Sequence, residues 1–253
     1  MKQIIKYSDV AAVILAAGKG SRMKSDIPKV LHKINSRTLV SYVAACAEKI
    51  VGNNIHVVIG HHAQKVKDEV EKHYNAVFAF QKDMLGTGDA VKVALEGLPE
   101  HINNVLVLNG DVPFITETTL VSLINHHRKN QNAVTLLSVE IDDPTGYGRI
   151  IQNHIGDVIC IREETDADFE EKKIKKVNSG IYCFERDFLE YAIPQIESFN
   201  SQREYYLTDV MEIAIKKNKR AGLMSVNDWR EVVGINTLAD LKNARELIKK
   251  IDI

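Results

Sequence analysis

No segment of the sequence is apolar for the roughly 20 residues that crossing a bilayer takes. The apolar run at 10–17, preceded by Lys2 and Lys6, has the outline of a secretion signal. Asp9 interrupts its approach, however, and Gly18-Lys19-Gly20 follows without a cleavage site, so a buried first strand fits better. The expected location is the cytoplasm. Cysteine is scarce: Cys46, Cys160 and Cys183 have no paired spacing of the metal-binding kind. They read as small apolar core residues, which argues against a disulfide framework or a zinc site. An excess of one charge is also missing. There are 33 Lys and Arg against 34 Asp and Glu, a net charge of −1, so no general affinity for a nucleic acid polymer or an anionic membrane follows. Internal repeats and low-complexity segments are absent.

What is present is an alternation. With 253 residues and 45% hydrophobic content, the chain can bury one large α/β core without staples. Short apolar runs at 11–16, 55–59, 76–80, 105–108 and 134–139 read as strands. Amphipathic stretches at 38–51, 63–72, 88–98 and 116–130 read as helices. In the first of these, Leu39, Val40, Val43, Cys46, Ala47 and Ile50 repeat with helical period. The alternation predicts an α/β, Rossmann-like, mainly parallel sheet with helices on both faces and ligands at the carboxyl ends of its strands. After 139 the rhythm changes. A turn-rich loop at 142–148 precedes strands expected at 149–151, 158–161 and 177–184, which read as a small β-rich sugar-binding insertion. A helix at 207–218 and a strand at 221–226 follow. The last helix is expected over about 237–251, with Thr237 and Asp240 as its capping signal and Leu238, Leu241, Ala244, Ile248 and Ile251 as its apolar face.

The loop after the first strand, Leu15-Ala16-Ala17-Gly18-Lys19-Gly20-Ser21-Arg22-Met23, is the most informative stretch. Gly18 and Gly20 allow close backbone approach and a concave site of N–H groups. Arg22 offers a planar fork for phosphate oxygens, and Pro28-Lys29 adds a second cation. A dinucleotide fingerprint needs a third glycine where Met23 stands, and an acid where Ile59-Gly60-His61 stands. The pattern G-x-x-x-x-G-K-[ST] is absent. Two glycines alone would suit a plain strand-to-helix turn; with Arg22 and Lys29 added, phosphate binding is the better reading. Asp111, after an apolar strand, is placed to hold Mg²⁺ against phosphates, although taken alone it could equally cap a turn.

These residues resemble the nucleotidyltransferases that make nucleotide sugars. L-A-A-G-K-G-S-R-M and P-K-V-L-H are followed in order by Leu85-Gly86-Thr87-Gly88, Asn109-Gly110-Asp111-Val112-Pro113 and D-D-P-T-G-Y-G-R at 142–149. Val177-Asn178-Ser179-Gly180, E-Y-Y-L-T-D at 204–209 and Val233-Gly234-Ile235-Asn236 complete the set. The narrower motifs are similar to the uridylyltransferase domain of the bifunctional bacterial enzymes acting on N-acetylglucosamine 1-phosphate. The resemblance implies UTP and that phosphosugar as substrates, Mg²⁺ as cofactor, and UDP-N-acetylglucosamine and pyrophosphate as products. It implies that Leu15, Ala16, Ala17 and Gly18 contact the nucleotide, that Lys29 neutralises phosphate, and that Gln81, Gly86 and Thr87 read the uracil. It places Mg²⁺ on Asp111 and Asn236, the sugar on Gly148, Glu163 and Asn178, and Asn109 and Gly110 along the product site. Asn236 is a metal ligand by resemblance only, since its position before a helix also suits a cap.

Four positions depart from the family pattern: Ser21 and Ser179 for Thr, Asp89 for His, and Asn109 for an aromatic or small residue. Residues 1–253 are expected to form one nucleotidyltransferase domain. The hexapeptide repeats that carry acetyl transfer in the bifunctional enzymes are absent from them. A related transferase using another nucleotide or phosphosugar, and a non-catalytic module of the same fold, stay open as alternatives. His61-His62 and His126-His127 are expected to face solvent, and Arg203-Glu204-Tyr205-Tyr206 to buttress a pocket.

Overall fold

The computed structural model describes residues 7–248; Lys2, Lys6 and Ile251 lie outside the described residues. Strand β1 (Val10–Leu15) is buried along nearly its whole length, because helices cover both faces of the sheet around it. Such burial explains its uninterrupted apolar sequence, each fully buried Val, Ile or Leu contributing about 1.5–3 kcal/mol. A short hairpin, β2 (Lys33–Ile34) and β3 (Arg37–Thr38), leads into α1 (Leu39–Val51). The apolar stripe expected on α1 is buried throughout, and the helix stops at Gly52 (φ 62°). β4 (Ile55–Ile59), α2 (Ala63–Glu71), β5 (Val77–Phe80), α3 (Thr87–Leu95), β6 (Asn104–Asn109) and α4 (Glu117–Lys129) complete the alternating half.

β6, β1, β4 and β5 are parallel neighbours. Leu15 lies opposite both Val58 and Asn109, and Ile59 opposite Phe80, so four carboxyl ends reach one edge together. One core layer packs α1, α2 and α4 on one face, and a second packs α3, α5 (Arg186–Ala192) and α6 (Asp209–Lys216) on the other.

The second half departs from the expectation in one respect. Of the three strands read as an insertion, β8 (Arg149–Gln152) and β9 (Val158–Arg162) form a hairpin at the side of the sheet. The third, β10 (Lys176–Glu185), is a central strand, antiparallel to both β6 and β7 (Val134–Glu140). Ile181-Tyr182-Cys183-Phe184 is buried on both faces, which is the mark of a central strand rather than of an appended one. β11 (Ala221–Ser225) closes the order β11-β7-β10-β6-β1-β4-β5. α5 went unread because it is only seven residues long and runs straight into a 3₁₀ turn containing Pro194.

Helix α7 (Leu238–Leu247) begins at a full capping box, Thr237 accepting from the Asp240 N–H while Asp240 accepts from the Thr237 N–H. Met23, Ile34, Leu39, Phe114 and Ile235 pack with its Leu241 and Ala244 in a third, smaller cluster. All three cysteines are free and buried. His62 is exposed and His61 and His126 half-buried, but His127 is fully buried, its Nδ1 3.0 Å from Thr135 Oγ1. α4 turns that residue inward beside Leu123 and Ile124, and burial pulls its pKa down to about 4.

Candidate active site

A cleft of about 640 Å³ opens at the carboxyl ends of β1, β5 and β6. Its lining begins with the loop after β1. Gly20 adopts φ 60°, and a Cβ there would lie 2.6 Å from Lys29 Cβ, so glycine is what lets the Pro28-Lys29 segment pack against the loop. Met23 closes the following 3₁₀ turn and plugs into the third core cluster. The loop is thereby pinned from below by a side chain, and its polar surface is left to the cleft.

Lys29, Asp111 and Asn236 meet there. Lys29 Nζ pairs with Asp111 Oδ2 and donates to Asn236 Oδ1 at 3.1 Å, and Arg22 Nη2 donates to the same Oδ1 at 2.9 Å. The backbone maintains this meeting, since the Ile235 N–H donates to the Asp111 carbonyl at 2.9 Å. Asn236 Nδ2 turns to the Gly234 carbonyl at 3.4 Å, which leaves Oδ1 for cations. Asn236 is not the cap of α7, a role that Thr237 fills.

Among the described residues no three His, Cys, Asp or Glu side chains cluster as a metal site. The donor set nevertheless fits Mg²⁺. A carboxylate oxygen and an amide oxygen already converge on one cation, the Lys29 ammonium, and Mg²⁺ takes one or two protein oxygens together with substrate phosphates.

The neighbouring wall is made of backbone. Gly86 (φ 118°) lies so close to Tyr205 that a Cβ would approach its carbonyl oxygen to 2.6 Å and its nitrogen to 2.8 Å. Tyr205 donates to the Leu85 carbonyl and accepts from the Gly88 N–H, both at 2.7 Å, and the Leu207 N–H donates to Thr87 Oγ1 at 3.0 Å. Residues 204–207 thus brace the Gly86-Thr87 turn. Gln81, buried at the end of β5, donates through Nε2 to the Gly86 carbonyl at 3.1 Å and to Asp89 Oδ2 at 2.8 Å.

Another stretch of the wall is made of side chains. Glu163 lines the cleft beside Gly148, with its carboxyl pushed upward first by burial and then by Asp209, Asp166 and Glu204. Its neighbour Glu164 turns away to bind Arg149 Nη2 at 2.7 Å and the Gly146 N–H at 3.1 Å. The Asn178 N–H donates to the Gly148 carbonyl at 2.8 Å, and Asn178 Oδ1 accepts from the Gly180 N–H at 2.7 Å. Asn109 fits only because residue 180 is glycine: a Cβ there would sit 2.1 Å from Asn109 Nδ2.

Leu15, Ala16, Ala17, Gly18, Arg22, Lys29, Gln81, Gly86, Thr87, Asn109, Asp111, Gly148, Glu163, Asn178 and Asn236 all line this cleft. Gly110 does not. It lies behind the wall, donating to the Leu15 carbonyl at 3.0 Å, and a Cβ on it would press on that same oxygen. Its part is close packing of β6 under the β1 loop. Two residues went unassigned in the sequence. Tyr147 lines the cleft and packs against the core layer that holds α1 and α4, which seats the 142–148 loop at the cleft. Arg149 is buried and anchors that loop through the Tyr147 carbonyl and Glu164. Both lie in the quoted D-D-P-T-G-Y-G-R run, where an aromatic between two glycines and a cation straight after the second were the available signal.

No helix among the described residues is long and apolar enough to cross a membrane. The profile of the nucleotidyl transferase family matches residues 11–246. The bifunctional protein GlmU of Geotalea uraniireducens is 43% identical over 242 residues, covering 96% of this chain and 53% of that protein. The GlmU of Desulfotalea psychrophila is 38% identical over 244 residues, 96% of this chain and 72% of that protein. The chain spans about half the length of the first of these relatives and of several others. In fold it is similar to a structure of UDP-glucose pyrophosphorylase complexed with UDP-glucose, with a TM-score of 0.73 at 16% identity over 95% of this chain and 98% of that one. A profile match over nearly the whole described chain, supported by relatives near 40% identity, has one reading: the chain belongs to the nucleotidyl transferase family.

Proposed function

We propose that this chain transfers a uridylyl group from UTP to N-acetylglucosamine 1-phosphate, giving UDP-N-acetylglucosamine and pyrophosphate, as one catalytic domain working in the cytoplasm. The observation that carries the proposal is the convergence of Asp111, Asn236, Lys29 and Arg22 in a cleft that Glu163 and Asn178 also line. A phosphate-handling centre and a hydroxyl-binding centre within one cavity suit a nucleotide and a phosphosugar lying end to end.

In the reaction an oxygen of the sugar phosphate attacks the α-phosphorus of UTP in line. The new O–P bond forms as the bond to the β-phosphate bridging oxygen breaks, and pyrophosphate carries away the electron pair. The nucleophile is already an anion, so no general base is needed. What remains is positioning and charge neutralisation. Lys29 and Arg22 leave their contacts with Asp111 and Asn236 and turn to phosphate oxygens. Gly18 and Gly20 bring the loop backbone close to the phosphates. Asp111 and Asn236 would hold Mg²⁺, which when bound neutralises phosphate charge and fixes the triphosphate. On the sugar wall, Glu163 and Asn178 take hydrogen bonds from hydroxyl and amide groups.

The test is pyrophosphate release across a panel of UTP, dTTP, CTP and ATP with N-acetylglucosamine, glucosamine and glucose 1-phosphates. UTP with N-acetylglucosamine 1-phosphate is expected to be fastest, to stop with chelator and to return with Mg²⁺. A preference for dTTP, or for glucose 1-phosphate, refutes the substrate assignment. No release with any pair refutes the enzyme reading in favour of a binding module.

A further inference from the structure

Asp89, in the first turn of α3, has a carboxylate with a defined partner. Gln81 Nε2 donates to Asp89 Oδ2 at 2.8 Å and to the Gly86 carbonyl at 3.1 Å. Both amide protons are therefore committed to groups that only accept. A reversed amide would put Oε1 against a carboxylate and a carbonyl with no proton among the three. Leaving buried polar groups so unpaired is costly, and Gln81 is only 4% exposed. Its orientation is thus set, and Oε1, which receives no hydrogen bond from the described residues, is left as an acceptor in the cleft wall.

The two anchors are themselves fixed. The backbone of Tyr205 braces Gly86 from behind. Asp89 sits in the first turn of α3, where the helix N-terminus favours a negative charge. A plain reading makes Asp89 a helix-end acid and nothing more. That reading leaves its bond to Gln81 without consequence.

We infer that Asp89 is a specificity-determining positioning residue: by locking the Gln81 amide it makes the pocket present an acceptor, which selects a base carrying a ring N–H. Uracil and thymine offer N3–H to such an acceptor. Cytosine presents a bare N3 lone pair and is repelled, so the pairing discriminates by leaving the wrong base unsatisfied. The inference rests on the proposed placement of the base beside Gln81.

The experiment compares kcat/KM for UTP, CTP and dTTP, each with N-acetylglucosamine 1-phosphate, in the unmodified protein and in Asp89→Ala, Asp89→Leu and Asp89→Asn. In Ala and Leu the UTP-to-CTP ratio is expected to fall about tenfold or more, because the amide is freed to reverse. The UTP-to-dTTP ratio should stay within about twofold, since both bases carry N3–H. Asn, whose Oδ1 still accepts from Gln81, should keep most of the ratio. Leu fills the space of Asp, so it serves if Ala fails to fold. An unchanged UTP-to-CTP ratio in Ala and Leu overturns the role of Asp89. So does an Asn variant that loses as much as Ala, or a parallel loss of the UTP-to-dTTP ratio, which would mean a loosened pocket. An unmodified protein that prefers CTP overturns the placement of the base itself, which separates that failure from the others.

Discussion

The two walls of the cleft are built from different materials. The wall proposed for the nucleotide is made mostly of backbone and of short contiguous motifs: 15–22 after β1, and Met84, Gly86 and Thr87 leading into α3. The wall proposed for the sugar is made of side chains from the end of β9, from β10 and from the start of α6, and acids surround its Glu163. A wall of backbone is intolerant of an added methyl group, because its neighbours cannot move aside. A wall of side chains tolerates shape changes better but carries electrostatic tension. The ion-pair cluster of Lys29, Asp111 and Asn236 joins the two.

The largest expected effect strikes that junction. Asp111→Ala should lower kcat/KM by about a thousandfold or more, a loss of about 4 kcal/mol of transition-state stabilisation. It should also abolish Mg²⁺ binding measured calorimetrically with nucleotide present. Retention of both activity and metal binding would leave Asp111 as a partner of Lys29 only.

Paired glycine substitutions test the contrast itself. Gly86→Ala sets a methyl at φ 118° against backbone atoms at 2.6 and 2.8 Å, so it should cost about 2 kcal/mol or more of stability and weaken UTP binding. Gly148→Ala meets Ile161 Cγ2 at 3.0 Å and Glu163 Oε2 at 3.3 Å, both ends of side chains. It should leave the melting temperature nearly unchanged and raise KM for the sugar phosphate about tenfold. Equal thermal losses would erase the distinction between the walls.

Glu163→Gln should raise KM for the sugar phosphate by about tenfold with little change for UTP. It also removes one charge from the neighbourhood of Asp209, Asp166 and Glu204. A matching rise in KM for UTP would place Glu163 on the wrong wall.

The contrast also explains what could be read in advance. Gly18, Gly20, Arg22 and Lys29 lie within a dozen residues, so their shared chemistry shows in the chain itself. The strand–helix alternation of residues 10–130 is equally local. β10 was misjudged because its partners β6 and β7 are distant in sequence, and only its burial on both faces pointed to a central place. His127 reads as a surface residue in the sequence because nothing local marks which side of α4 meets Thr135. Asn236 was legible only through resemblance, its cation contacts spanning more than 200 positions. Asp89 stood out as a charge, but its meaning needed Gln81, eight residues earlier, folded onto it.

The smallest expected effect measures the tension of the sugar wall directly. Asp209, the first residue of α6, has its carboxyl pushed up to about 6, first by burial and then by Glu212. In the unfolded chain the group returns to near 3.8. Between those values the folded protein binds the proton more tightly, so this group's stabilising contribution falls as pH rises from 4 to 6 and stays lost above. The full shift corresponds to about 3 kcal/mol, and solvent around the partly exposed carboxyl reduces that to about 1 kcal/mol. Asp209→Asn should therefore raise the melting temperature at pH 7 by about 2–4 °C and change it little at pH 4. His127 provides the opposite slope. Its folded pKa of about 4 lies below the ordinary 6.5, so burial of the neutral ring costs stability as pH falls through that interval. His127→Gln should leave pH 7 nearly unaffected, keep a hydrogen bond to Thr135, and gain about 1 kcal/mol at pH 5.5. Two variants that diverge in opposite directions along the pH axis would assign the tension at neutral pH to the buried Asp209 carboxylate. If Asp209→Asn gave the same gain at pH 4 as at pH 7, the gain would come from packing or helix propensity and not from the buried Asp209 carboxylate.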